Sequence, residues 1–151
     1  MATLKRILLV EDSLADAELA LHGLSEYRLA NEVQHVRDGV EALDYLHRRG
    51  DFAERPPGNP AVVLLDLKMP RLDGMEVLKE MKGHPELRMI PVVVMTSSRE
   101  EGDLLQTYSL GVNAYVVKPV KFPAFVEAVK QVGSFWALIN EPPPGCAARQ
   151  S

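Results

Sequence analysis

Cysteine is almost absent: the 151 residues hold one, Cys146, close to the end. A lone cysteine builds neither a disulfide framework nor a cysteine-based metal site. Its scarcity fits a reducing compartment, so a cytoplasmic location is expected. Long apolar runs are missing too. None approaches the ~20 residues needed to cross a bilayer, and the opening Met1-Ala2-Thr3-Leu4-Lys5-Arg6 lacks the apolar segment of a signal peptide. Positive charge is not in excess. Seventeen Lys and Arg against 21 Asp and Glu leave a net charge of −4, so no global field draws the chain to nucleic acid. Glycine-rich phosphate loops are lacking: neither GxxxxGK with a following Ser or Thr, nor GxGxxG, occurs, which argues against nucleotide binding.

What is there fits one soluble domain with a real core: 46% of residues are hydrophobic and 25% charged. Short apolar runs recur at Ile7–Val10, Ala61–Leu65 and Pro91–Met95. Runs of this kind suit strands buried on both faces of a parallel sheet. Glu32–Val36 alternates polar and apolar, as an outer strand does, and Ala114–Val117 is the last strand. Helical periodicity fills the gaps. Ser13 caps a helix from Leu14 to Glu26, with Leu14, Ala17, Leu21 and Leu24 on one face. Val40–His47 follows the Asp38-Gly39 turn, and Met75–Lys82 carries Val77, Leu78 and Met81 on one side before Gly83-His84-Pro85. A helix from Glu100 to Leu110 has Ser97 or Ser98 as its expected cap and Gly111 as its stop. Phe122, Phe125, Val126, Val129, Val132 and Trp136 mark the last helix. Arg48–Pro60 reads as a surface loop. Strand then helix, five times over, predicts an α/β fold with a doubly wound five-stranded parallel sheet and right-handed crossovers.

Four strands end in chemistry: Glu11-Asp12, Asp66, Thr96 and Lys118. In a doubly wound sheet these ends share the carboxyl edge, where ligands bind. Each has an ordinary structural explanation. Acids favour helix N-termini, Asp is common at strand exits, and hydroxyls cap helices. Together they say more. Carboxylates ~5 Å apart repel by about 3 kcal/mol per pair at an effective dielectric near 20. One lysine does not balance three of them; a divalent cation does. Oxygen donors without His or Cys favour a hard ion such as Mg²⁺. A metal, a lysine and a hydroxyl around a carboxylate suit phosphoryl transfer, with Asp66 as nucleophile. His35 and His47 show no metal-ligand spacing to another His or Cys and are expected at the surface or rim.

Val10-Glu11-Asp12, Leu65-Asp66-Leu67-Lys68-Met69-Pro70-Arg71-Leu72-Asp73-Gly74, Met95-Thr96-Ser97 and Tyr115-Val116-Val117-Lys118-Pro119 resemble the receiver domain of two-component response regulators. The resemblance covers residues from about 4 to 135 and implies the (βα)5 flavodoxin-like receiver fold. It implies that Asp66 accepts a phosphoryl group from a histidine kinase. Glu11, Asp12, Asp66 and the main-chain carbonyl of Lys68 would hold Mg²⁺. Thr96 and Lys118 would contact the phosphoryl group, and Thr96 and Tyr115 would form the switch. The Lys118–Pro119 bond would be cis, which X-Pro bonds adopt most cheaply. The acid pair is Glu-Asp where Asp-Asp is commoner, so the longer Glu11 is expected to reach the metal through water.

The Arg48–Pro60 loop and the terminal Phe135-Trp136 further resemble single-domain regulators that partner bacterial phytochrome kinases. That likeness implies a light-sensing kinase partner and a homodimer, with Phe135 and Trp136 as candidate dimer contacts. Residues 1–140 would form the receiver domain and 141–151 a Pro-rich disordered tail. With no effector region after Trp136, output would run through protein–protein contact, without nucleic acid or membrane, or through passing the phosphoryl group on in a phosphorelay. The competing reading is a Mg²⁺-dependent phosphohydrolase with an aspartyl nucleophile. Lys68, where such enzymes usually carry a second acid, speaks against it and for a non-enzymatic switch. Lys68 and Ser98, each two residues beyond a site residue, are expected to border the phosphoryl group.

Overall fold

The computed structural model describes residues 6–25, 32–69, 71–118 and 122–144. Glu26, Pro70, the Phe122 side chain and the tail from Gly145, Cys146 included, lie outside the described residues, as does Pro119 and with it the Lys118–Pro119 bond.

Five parallel strands form one sheet in the order β2-β1-β3-β4-β5. They are β1 (Ile7–Val10), β2 (Val33–Val36), β3 (Val62–Leu65), β4 (Val92–Thr96) and β5 (Ala114–Val117). Helices α1 (Leu14–Ser25), α2 (Gly39–His47), α3 (Gly74–Gly83), α4 (Glu101–Ser109) and α5 (Phe122–Ser134) alternate with them. The register pairs Val10 with Val36 and with Leu65, and Leu65 with Val94, so these strands end level.

Continuous apolar runs are explained by two cores. Leu8, Val10, Val63, Leu65, Val92 and Val94 face α2 and α3, against Leu43, Leu46, Val77, Leu78 and Met81. Their neighbours Ile7, Leu9, Val62, Leu64, Val93 and Met95 face α1 and α5, against Ala17, Ala20, Leu24, Phe125 and Val129. Side chains alternate along a strand, so burying both faces demands an apolar residue at every position. The edge strand β2 keeps three of its four residues half-buried, consistent with its alternating sequence.

Several local expectations are corrected. Leu14 is 54% exposed, and the buried face of α1 is Ala17, Ala20, Gly23 and Leu24. The small residues decide this by letting α1 approach α5: a Cβ on Gly23 would lie 2.9 Å from the Val126 carbonyl. The final α-helix stops at Ser134, and Phe135–Ile139 continue as a π turn closed by the Asn140 N–H on the Phe135 carbonyl at 2.7 Å. The long loop holds a 3₁₀ turn at Gly50–Phe52 and is stapled by Arg55. That guanidinium lies 4.2 Å from the Tyr45 ring centroid and donates to the carbonyls of Tyr45, Pro56 and Gly58. At the tail, Pro143 and Pro144 line a cleft with Pro60, Met89 and Pro91. Among the described residues no helix is long and apolar enough to cross a membrane.

Candidate functional site

The strand order reverses at β1, which leaves a crevice between the carboxyl ends of β1 and β3. Glu11 and Asp66 occupy its two sides. The Glu11 N–H bonds the Val36 carbonyl at 3.0 Å, and the Asp66 N–H bonds the Val10 carbonyl at 3.1 Å. Strand pairing thus carries one residue past each strand and fixes both carboxylates. Both are buried, at 4% and 8% exposure, whereas Asp12 faces solvent. The loop after Asp66 is braced against α2. Gly74 N–H returns to the Leu67 carbonyl at 2.9 Å, and Gly39 N–H reaches the Leu72 carbonyl at 3.0 Å. Arg71, held at φ 64°, donates from Nε to Asp38 at 2.8 Å. Asp38 and Asp73 each cap their helix, accepting from Glu41 N–H at 2.9 Å and Glu76 N–H at 3.0 Å.

Lys118 crosses the sheet edge. Its N–H bonds the Thr96 carbonyl at 2.7 Å. Its Nζ lies 2.5 Å from Glu11 Oε1, 2.9 Å from Asp16 Oδ2 and 3.4 Å from Asp66 Oδ2. One ammonium therefore serves three carboxylates. Burial pulls the ammonium down, but the hydrogen bonds to Glu11 and Asp16 outweigh it and hold Lys118 above the ordinary lysine range. Glu11 is pushed up to about 7, by burial first and by the Asp66 charge, against the opposing hydrogen bond from Lys118. The pocket is short of positive charge, and the deepest acid carries the consequence.

Glu11, Asp12 and Asp66 each present a carboxylate oxygen, all within 4.8 Å of one another. That spacing and an oxygen-only donor set fit a hard divalent cation. Glu11 already uses both oxygens, Oε1 on Lys118 and Oε2 accepting from the Ser13 N–H at 3.2 Å. A metal must share Glu11 or reach it through water.

Thr96 is fully buried, and its Oγ1 accepts from the Ser98 N–H at 3.3 Å. The Tyr115 hydroxyl donates to the Ser98 carbonyl at 3.0 Å, which ties β5 to the β4–α4 loop. Burial raises the Tyr115 phenol above its usual range. Ser98 is not the cap of α4: the helix begins after Glu100, which makes no side-chain cap bond. The Ser98 hydroxyl accepts from the Glu100 N–H at 3.4 Å and donates to Asp103 Oδ2 at 2.6 Å, and Lys68 Nζ lies 3.6 Å from the same oxygen. Lys68 and Ser98 thus meet on Asp103.

Sequence reasoning missed Asp16, Asp103, the Asp38–Arg71 pair and the role of His35. The His35 ring donates from Nε2 to the Glu11 carbonyl at 2.8 Å, so this histidine buttresses the acidic pair and is not simply a rim residue. Asp16 left a signal, a third acid in the first turn of α1, but it reads equally as ordinary helix-start chemistry.

Residues 7–130 match the model of the response regulator receiver domain. The chain belongs to the response regulator receiver family. It is 41% identical over 132 residues to response regulator Rcp1 of Synechocystis sp., spanning 87% of this chain and 88% of that protein. Among solved structures, the phosphorylated cyanobacterial phytochrome response regulator RcpA superposes with a TM-score of 0.86 at 40% identity, covering 93% of this chain and 99% of RcpA. The bacteriophytochrome response regulator RtBRR is 59% identical, with a TM-score of 0.74 over 95% of this chain and 86% of RtBRR. A Mn²⁺-bound form of Rcp1 is also similar, at 40% identity with a TM-score of 0.85, over 92% of this chain and 99% of that chain. This response regulator receiver is thus close to the phytochrome-linked regulators, and its fold is theirs.

Proposed function

We propose that Asp66 is the phosphoacceptor of this receiver, that the reaction depends on Mg²⁺, and that a bacteriophytochrome-type histidine kinase is the donor. One observation carries the reading: Lys118 Nζ stands 3.4 Å from Asp66 Oδ2 at the switch-point crevice, among more carboxylates than it can neutralise. An Asp66 oxygen attacks the phosphorus of the donor's phosphohistidine, the P–N bond breaks, and the imidazole leaves with the electron pair. Mg²⁺, when bound by Glu11, Asp12, Asp66 and the Lys68 carbonyl, supplies charge neutralisation on the phosphoryl oxygens. Lys118 transfers its contact from the carboxylates to a phosphoryl oxygen, and the Thr96 hydroxyl donates to another. That donation draws Thr96 and the β4–α4 loop toward the phosphoryl group. The loop is tied to Tyr115 through the Ser98 carbonyl, so the pull reaches the β5 surface.

Output then runs through partner binding. Phe135 and Ile139, 45% and 69% exposed, offer an apolar surface for self-association, while Trp136 packs partly on the α1–α5 core. Lys68 is held by Asp103 and supplies no acid beside Asp66, so a phosphohydrolase is not favoured. Phosphotransfer from a purified, autophosphorylated bacteriophytochrome kinase tests the reading. The parent chain takes up the phosphoryl group and Asp66→Asn does not; uptake by both would overturn it.

A further inference from the structure

Beyond the acidic pocket, three metal-ligating side chains meet at the opposite edge of the sheet. His47 is the last residue of α2, Glu80 lies in the last turns of α3, and His84 caps that helix. Glu80 Oε1 is 3.4 Å from His84 Nε2 and 4.0 Å from His47 Nε2. The two imidazoles meet edge to face, 4.7 Å between centroids. Among the described residues, His47 Nε2 is a buried side-chain nitrogen with no hydrogen-bond partner.

An ion pair and a ring contact account for His84 and Glu80. They do not account for two histidines aiming Nε2 at one carboxylate oxygen while the deeper nitrogen makes no bond. A buried ring nitrogen normally finds a partner. A metal satisfies all three groups. Bonds of about 2.1 Å at tetrahedral angles place donor atoms roughly 3.4 Å apart. The His84–Glu80 spacing, 3.4 Å, is already that, and His47 Nε2, at 4.0 Å, must come about 0.6 Å closer to Glu80.

The surroundings fit a cation. Both helices end here, so their unsatisfied carbonyls give the site a negative field. His47 and His84 line a cleft of about 570 Å³ together with Arg48 and Arg55, but both guanidinia are engaged by main-chain carbonyls. Arg49 is paired with Asp44. Burial, then Arg49 and His84, keep the His47 imidazole below its ordinary range, in the neutral form that ligates. Two imidazoles with one carboxylate favour a borderline ion of the Zn²⁺ class over Mg²⁺.

We propose that His47, Glu80 and His84 form a second divalent-metal site, selective for Zn²⁺-class ions, that clamps the end of α2 to the end of α3. Water completes the coordination on the solvent side. This site is separate from the phosphoacceptor pocket and stands whether or not Asp66 is phosphorylated.

The test is Zn²⁺ binding to the tag-free full chain, measured by competition with a chromophoric chelator in a large excess of Mg²⁺, which masks the acidic pocket. The parent takes up one Zn²⁺ per chain. His84→Ala and Glu80→Gln, whose side chains are 46% and 43% exposed and so replaceable without unfolding, each weaken binding by at least about tenfold, the loss that even supporting residues of a metal site produce. Co²⁺ in place of Zn²⁺ gives intense visible bands in the parent that both variants lose. No stoichiometric uptake by the parent, or parental affinity in both variants, overturns the proposal.

Discussion

Gly74→Ala is the substitution whose effect on the acidic site is best worked out from the structure. Gly74 opens α3 directly behind the acidic crevice. A Cβ built there lies 2.1 Å from the Asp66 carbonyl oxygen and 2.8 Å from Leu67 Cα. Both obstacles are backbone, so no side-chain rotation relieves them. The Asp66 peptide must retreat by about 1 Å, a misplacement that costs ~10²-fold in rate where geometry governs chemistry. Stability changes less. Overpacking costs about 1–3 kcal/mol, and replacing glycine in a helix returns up to ~1 kcal/mol. The variant should therefore fold, destabilised by up to about 3 kcal/mol, yet accept phosphoryl groups ~10²-fold more slowly. Urea unfolding gives the first number and single-turnover phosphorylation by acetyl phosphate the second. Gly102→Ala is the control, because a Cβ there meets nothing within 4 Å; it should leave the rate alone. Parental rate and stability in Gly74→Ala would refute the claim that close approach of α3 places Asp66.

Lys118→Met should slow phosphorylation by ~10²–10³, the usual consequence of losing one preorganised cationic or hydrogen-bonding group. It should also tighten Mg²⁺ binding in calorimetry, since Glu11 Oε1 no longer has the ammonium as a competitor. Glu11 should make Mg²⁺ binding pH-dependent. Its folded value is raised from 4.5 to about 7, so the metal-free folded chain holds a proton that the unfolded chain releases. Stability without metal therefore falls as pH rises from 4.5 through about 7, and the Mg²⁺-induced rise in Tm should be larger at pH 8 than at pH 5. Asp38→Ala removes the α2 cap and the anchor of Arg71 together. With Arg71 56% exposed, most of an expected loss of about 1–2 kcal/mol comes from the cap, visible in the denaturant midpoint. Phe135→Ala should weaken self-association in sedimentation without changing Tm, whereas Trp136→Ala should also lower Tm because that ring packs on the core.

The fold was legible because β1, β3 and β4 are buried on both faces. Ile7–Val10 and Ala61–Leu65 could not be amphipathic helices of the surface, and four strand ends carrying polar groups set the site edge. What periodicity could not show is which helix neighbours allow close approach. Leu14 looked like core, yet Ala17, Ala20 and Gly23 turn a flatter face to α5 and leave Leu14 in water. Side chains that meet only in three dimensions were equally silent. Asp16 reaches Lys118 from the far end of the chain, and Asp103 draws in Lys68 and Ser98 from two different loops. His47 shows no ligand spacing in sequence because its partners Glu80 and His84 belong to the next helix. Ser98 looked like a cap because hydroxyls before acids usually are; its Oγ does accept from the Glu100 N–H at 3.4 Å, but α4 begins only after Glu100, and the hydroxyl proton goes to Asp103.

The most direct test of the central claim is intact mass after incubation with Mg²⁺ and acetyl phosphate, for the parent chain and for Asp66→Asn. The account predicts a gain of one phosphoryl group in the parent, abolished by chelating the metal, and none in the variant. An equal gain in Asp66→Asn would contradict it by placing the acceptor elsewhere.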